Sequence, residues 1–456
     1  MLGIWFNNDD FSVRGNKYDD LELLMRSGFT DLFILIKGVS NDVRNNPVTF
    51  PYTDRLFREG SRLGFRTHGV FICSADKSYT ERYPERTDVN LFGIRKRGMI
   101  NHLDDRYRYH MTEAILTAAE LLPMDGIQLD HLRFRHIVNG WSPDEEDVYA
   151  SYGVRVDELK NEMKTLYDIY KPDRNLASVI QCFEEGDPQL IAFSEARRSI
   201  LRDFTGCITQ ELRRQLPDKE LSIAMMPAGL EPAKYSTSVL YYGQDYRDLL
   251  PLADHLFPMA YASSFDKGTD WIGEIARAAA RKVPGAVIGL ECDLRTGSEL
   301  LADLNIIRGQ AKAGISLFRY GRMVLALRDG EDTLLYNTYP GAVTRLILKD
   351  GTSESVTDCS IGDSSTLRIK GHYDLIRPFG SFTDHSGAYY EGELCIAYSD
   401  ALKSCRSPGQ DTLCPPGIIK YINADDLRLI RQAAPSALRS SSPPRSHSDD
   451  PYPQNQ

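Results

Sequence analysis

No apolar run in the chain reaches the ~20 residues that span a bilayer, so no segment reads as a membrane span. There is no long basic block, and 64 acidic against 54 basic side chains leave a net charge of −10. That balance argues against nucleic acid or an anionic membrane as the main partner. A G-x-S-x-G elbow and a P-loop are both missing, which disfavours esterase and nucleotide-hydrolase chemistry. His68 and His131 have no second histidine at metal-ligand spacing, and the eight cysteines include no CxxC pair. Neither a metal nor another cofactor is therefore expected. Cys73, Cys182, Cys207 and Cys292 are scattered as core thiols would be. Cys359, Cys395, Cys405 and Cys414 lie closer together and leave disulfides open in an oxidising compartment. The amino terminus offers no basic stretch followed by an apolar region. The expected location is cytoplasmic as the chain stands, or extracellular or periplasmic if an upstream signal is missing.

What is present is enough for a large core. Hydrophobic residues make up 42% of 456, a length that suits a large barrel plus an accessory module. Residues 2–7 read as a strand and 18–26 as a helix ending near Gly28. Residues 30–37 (TDLFILIK) have the near-continuous apolar character of a strand buried on both faces. A helix over 53–63 stops at Gly64, and 65–74 is a third strand. Residues 105–122 form an amphipathic helix with Ile115, Ala118, Ala119 and Leu122 on one face. It feeds a fourth strand in MDGIQLDHLRF. An excursion at about 135–190 follows, with turn signals at Asn139-Gly140 and Ser142-Pro143 and a helix near 154–170.

A helix over 194–216, with Ser194 as cap, closes that unit. Strands at 220–226, within 253–261, at 286–292 and at 314–320, with helices over 271–282 and 298–313, complete eight strand–helix units. The expected fold is α/β, a (β/α)8 TIM barrel over residues 1–335. Short strands at 343–348, 366–369 and 394–398 mark a small β-rich module over 336–432. The Ser/Pro-rich stretch 433–456 reads as a disordered, dispensable tail.

In such barrels chemistry collects at the carboxyl ends of the strands. The fourth strand delivers Asp130 there, with Arg133 just beyond. An isolated strand-end Asp is as often a cap for backbone amides, but the DGIQLDHLRF context favours function. The segment resembles the hallmark DGI-x-x-D-x-[IL]-R-[FY] of glycoside hydrolase-like barrels related to family 10. Asn101, Arg106 and Tyr109 around the preceding helix, SEARRSILRDF and FPMAY are also similar to that pattern. The resemblance covers roughly residues 1–325 and implies hydrolysis of polysaccharide glycosidic bonds, peptidoglycan glycan strands included. LSIAMMPA, FPMAY and DGIQLD are more distantly similar to family 18 chitinases, whose fourth strand reads D-x-x-D-x-D-x-E. Here Gln128 stands at the middle Asp and Leu132 at the Glu that donates the proton. Leucine cannot protonate a leaving group, so a chitinase-type mechanism is not expected.

Glycoside hydrolysis uses two carboxylates, about 5–5.5 Å apart for retention and about 6.5–9.5 Å for inversion. Asp130 is the first candidate and Glu291, at the end of the seventh strand, the second, with Asp293 its nearest rival. Asn7, Asp9, Lys37, Asp76, Arg133, Tyr261, Asp293, Arg319 and Tyr320 occupy other strand ends and are candidates for binding substrate. Arg133 could pair with either carboxylate, and Tyr261 and Trp5 are candidate sugar platforms. Glu184, Glu185 and Glu231 are further loop acids. The expected activity is that of a glycoside hydrolase on a polysaccharide or oligosaccharide. The alternatives are a silent carbohydrate-binding barrel, motivated by Leu132, and an aldolase-like barrel, for which Lys37 is the clear strand-end lysine.

Overall fold

The computed structural model describes residues 1–7, 19–38, 50–166, 172–383 and 388–405. Strands β1 (Leu2–Phe6), β2 (Asp31–Lys37) and β3 (Arg66–Ile72) are followed by a hairpin of β4 (Thr87–Val89) and β5 (Arg95–Ile100). Then come β6 (Gly126–Asp130), β7 (Glu220–Met225), β8 (His255–Pro258), β9 (Ile288–Glu291) and β10 (Ile315–Phe318). Eight of these form one parallel sheet in the order β8-β7-β6-β3-β2-β1-β10-β9. The circle closes between β8 and β9 through the Met259–Gly289 bridge. Val287 N donates to Leu256 O at 3.1 Å and Ala260 N to Gly289 O at 2.8 Å across the same seam. The expected barrel is therefore present.

Strand alternation divides its side chains. Leu2, Ile4, Leu32, Ile34, Ile127, Leu129, Ile288 and Leu290 face the surrounding helices in the main apolar core. Trp5, Phe33, Val70, Ala224, Phe257 and Val287 fill the barrel interior as a separate cluster. Gly126 is required by this packing, because a Cβ there would stand 2.2 Å from His68 Nδ1.

The excursion folds as helices Pro143–Ser151, Val156–Leu166 and Pro172–Glu184. The closing helix, Pro188–Gln215, begins earlier than the sequence pattern implied. Asp187, not Ser194, caps it, accepting from Gln189 N at 2.8 Å and Leu190 N at 3.0 Å, with Pro188 in the first turn. Ser194 is buried inside the helix and donates to Ile191 O. The excursion packs in a second apolar core, in which Trp141 and Tyr149 meet Phe134, Phe193 and Leu240 from the flanking segments.

Beyond the barrel, β11 (Val324–Asp329), β12 (Asp332–Asn337), β13 (Gly341–Asp350), β14 (Ser353–Ile361), β15 (Thr366–Lys370), β16 (Leu375–Thr383), β17 (Tyr389–Glu393) and β18 (Ile396–Tyr398) follow. They form two four-stranded sheets, β15-β12-β11-β18 and β14-β13-β16-β17. Strand β11 leaves the barrel almost directly after β10. Val324 N donates to Cys395 O at 2.8 Å, and Ile396 packs on Gly297 so closely that a Cβ there would lie 2.1 Å from it. Cys292, one residue past β9, and Cys395 are both buried at this junction, and the neighbouring Cys395 thiol together with burial pushes the Cys292 thiol up. Every described cysteine is a free thiol. Cys414 and the 433–456 tail lie outside the described residues. Among the described residues, no helix is long and apolar enough to cross a membrane.

Candidate active site

Asp130 ends β6 on the face that alternation turns to the barrel interior, opposite to Ile127 and Leu129. It is buried, with 7% of its surface exposed. Its Oδ1 accepts from His131 N at 2.6 Å. His131 holds φ at +53°, a left-handed value rare for non-glycine residues. Such outliers concentrate where the surrounding structure fixes a functional geometry. Beneath Asp130 on the same face, Gln128 is fully buried, and neither amide atom has a partner among the described residues. Leu132 points the other way, into the main core, so the chitinase acid position is filled by packing.

Glu291 ends β9 in register with Phe318 of β10. Its Oε1 accepts from Ser263 N at 2.5 Å and Ser264 N at 3.0 Å, and its Oε2 from Ser264 Oγ at 2.5 Å. Burial pushes its carboxyl up to about 7, although the serine donors favour the ionised form. The space left by Gly289 is bordered by the Tyr261 ring, 3.5 Å from where a Cβ would sit. Tyr261 is itself buried in the interior cluster and stacks on Phe318 at 5.4 Å.

The other candidates differ in where their side chains go. Lys37 and Asp76 hold each other at 3.2 Å. The Lys37 ammonium also donates to Ile72 O at 3.0 Å and Ala75 O at 3.2 Å, which occupies all its N–H groups and argues against a Schiff-base role. Asp76 also caps the helix Lys77–Arg82. Arg133 is buried with its guanidinium 5.4 Å from the Tyr242 ring centre. Asp293 pairs with Arg322 at 2.8 Å and lies 3.9 Å from Arg319. Tyr320 faces away from the mouth, since it stacks on Phe6 at 4.7 Å and donates to the Asp20 carboxylate. Asn7 is half-buried beyond β1, and Asp9 lies outside the described residues.

Trp5 is an interior side chain bonded to Ser316 Oγ at 3.4 Å, and His68 pairs with Asp31 at 3.0 Å. Glu184 accepts from Ser236 Oγ at 2.7 Å. Among the described residues no group of three or more His, Cys, Asp or Glu side chains gathers around a metal position.

Residues not singled out in the sequence complete the frame. Gln244 ties the ends of β6 and β7 together, donating to Leu132 O at 2.9 Å and accepting from Met226 N at 3.0 Å. Ser74 Oγ accepts from Arg133 N at 3.2 Å and lies 2.9 Å from His102 Nε2. Burial holds His102 down to about 3, so it is neutral at physiological pH. The doublet Ser263-Ser264, two hydroxyl residues just past a strand end, was the readable signal for a carboxylate-holding turn.

Behind the β6 loop, fully buried Arg197 donates to the carbonyls of Asn139 (2.7 Å), His136 (3.1 Å) and Tyr241 (2.9 Å). Two buried acids share its field. Asp88 accepts from Asn139 Nδ2 and Gly140 N, each at 2.7 Å. Glu145 closes a capping box with Ser142. Burial raises the pKa of both, and the Asp88 charge raises Glu145 further. A folded pKa above the unfolded one means that folding takes up protons as pH rises, so this contribution to stability falls toward alkaline pH. Glu145→Gln keeps the box and removes the titration. Its urea midpoint should match the parent at pH 5 and exceed it at pH 8. A parallel pH dependence in the two proteins would refute the assignment.

No family model and no curated protein matches the chain. Among solved structures it is similar to the glycoside hydrolase domain of PgaB (BpsB) from Bordetella bronchiseptica. That match has a TM-score of 0.52 and 13% identity over 69% of this chain and 92% of that one. The catalytic domain of a β-amylase from Paenibacillus polymyxa gives 0.47 and 12%, covering 70% and 92%. A β-galactosidase from Marinomonas ef1 gives 0.49 and 11%, covering 71% of this chain and 54% of that one. At 13% identity the likeness to the PgaB domain speaks for architecture alone. The chain is a (β/α)8 barrel with an appended β-rich module, similar in fold to the PgaB domain.

Proposed function

We propose that the protein is a glycoside hydrolase that cleaves glycosidic bonds of a polysaccharide, peptidoglycan glycan strands or another bacterial glycan, using Asp130 and Glu291 as its carboxylate pair. The observation that carries this reading is a buried glutamic acid raised to about 7 at one strand end of a barrel mouth, with a second inward-facing carboxylate at the end of β6. An acid raised toward neutrality remains partly protonated at working pH and can donate to a departing sugar oxygen. Asp130 then serves as nucleophile or as base toward water, on the opposite side of the sugar ring. The fold supports the reading, since the PgaB domain it resembles is itself named a glycoside hydrolase.

Release of reducing ends from a polysaccharide panel tests it. Binding without new reducing ends, at high protein and long incubation, would leave the silent carbohydrate-binding barrel. The role given to Glu291 has its own signature. kcat/KM should decline above about pH 7 as the carboxyl ionises. Glu291→Gln should remove that limb and slow polysaccharide cleavage by about a hundredfold or more. An aryl glycoside with an acidic phenol as leaving group needs no proton and should be slowed far less. Equal slowing of both substrates would take the acid role from Glu291.

A further inference from the structure

The β16–β17 edge of the module carries aromatic side chains that the hydrolytic chemistry leaves unused. Tyr390 stands directly opposite Phe382 across the two strands, with the rings stacked at 4.9 Å and inclined by 12°. Phe382 packs in turn on buried Tyr339 at 4.9 Å. The Arg322 guanidinium lies 4.9 Å from the Phe382 ring centre, and Arg322 pairs with Asp293 at 2.8 Å. Asp293 follows Glu291 by two residues. Contact is therefore continuous from Asp293, two residues past the carboxylate at the end of β9, through Arg322 and Phe382 to Tyr390.

Tyr390 is 39% exposed. Beside it on the same face of β17 is Gly392, where φ is +152° and an added Cβ would meet nothing within 4 Å. The ring thus borders a strip of strand without a side chain. An aromatic ring fixed by stacking loses little freedom when a ligand covers it. Its flat apolar face with a polar tip suits the C–H face of a pyranose, whose hydroxyls lie around the rim.

We propose that Tyr390, fixed by Phe382, which Arg322 in turn links to Asp293, is an outer subsite that holds a neutral pyranose unit of the glycan, several sugars from the scissile bond. This rests on the hydrolase reading above, and the test separates the two. The full chain is assayed on matched di- and hexasaccharides of peptidoglycan glycan strands, chitin and xylan, and run in native gels cast with solubilised glycan strands, glycol chitin and xylan. Tyr390→Ala should raise the hexasaccharide-to-disaccharide KM ratio by about tenfold, and Tyr390→Phe should keep the parent ratio. Tyr389→Ala, one residue away on the opposite face and 63% exposed, should change nothing. Asp130→Asn should still be retarded by the polymer that the parent cleaves, and adding Tyr390→Ala should release it.

An unchanged KM ratio in Tyr390→Ala overturns the subsite and leaves hydrolysis standing. Retardation that depends on Tyr390, with no reducing ends released, keeps the subsite and overturns the hydrolase. A parent that no polymer retards and no substrate engages overturns both.

Discussion

Asp130→Asn should lower kcat by about a thousandfold or more on any polysaccharide the parent cleaves, with thermal unfolding and circular dichroism unchanged. The substitution is nearly isosteric. Asparagine can still accept from His131 N, the local bond seen at 2.6 Å, and the backbone carbonyl of residue 130 still accepts from Cys73 N. What disappears is the charge and the ability to take or give a proton. General acid–base participation alone contributes about 10²–10⁴ in rate, and a covalent role adds to it. Activity within about tenfold of the parent would reduce Asp130 to a residue that orders the His131 turn. A melting point several degrees lower would show instead that the charge is part of the fold.

Arg197→Met should be the most damaging single change to stability, by about 3–5 kcal/mol, the usual consequence of removing one partner from a buried ionic network. The guanidinium lies 3.9 Å from the centre of the Phe134 ring and donates to three backbone carbonyls. Methionine fills much of the volume but leaves those carbonyls without donors, and leaves Asp88 and Glu145 without the nearby cation that favours their ionised forms. The carbonyls of His136 and Asn139 belong to the loop that leaves β6, so activity should fall with stability. Arg197→Lys retains the charge without the planar fork and should lie between the two. Chemical denaturation measures the difference, and a loss below about 1 kcal/mol for Arg197→Met would contradict the role given to the network.

The barrel was legible because strands buried on both faces appear as apolar runs, as TDLFILIK does, and helices punctuate them. Boundaries failed where capping outweighed periodicity. Asp187-Pro188 starts the long helix, yet the apolar pattern drew attention to Ser194. The β4–β5 hairpin was missed because RKRGMI exposes much of its length and resembles a loop. Strand β11 and the first residues of β12 lie within the span 1–335 assigned to the barrel, because VLALRD follows the eighth strand with no break in composition.

In the candidate site, strand-end carboxylates could be named from position alone, but their partners could not. Lys37 and Asp76 appeared as separate substrate contacts, and their mutual neutralisation is a property of three dimensions. Tyr320 follows β10 in sequence, yet its hydroxyl is committed to Asp20, 300 residues away. Two of the three donors that hold Glu291 are backbone amides, which carry no residue signature.

The excursion's separate apolar core has a consequence for how this protein can diverge. Its side chains pack on one another and on Phe193, Ala196 and Ile200 of the closing helix, and Arg197 of that helix holds the start of the excursion through hydrogen bonds to main-chain carbonyls. Main-chain acceptors are indifferent to which side chains they carry. Mutations that remodel the wall must still seat Phe193, Ala196 and Ile200 of the closing helix, so a lineage that exchanges one cleft wall for another does so by carrying that helix with it, while inheriting the strand-end carboxylates intact.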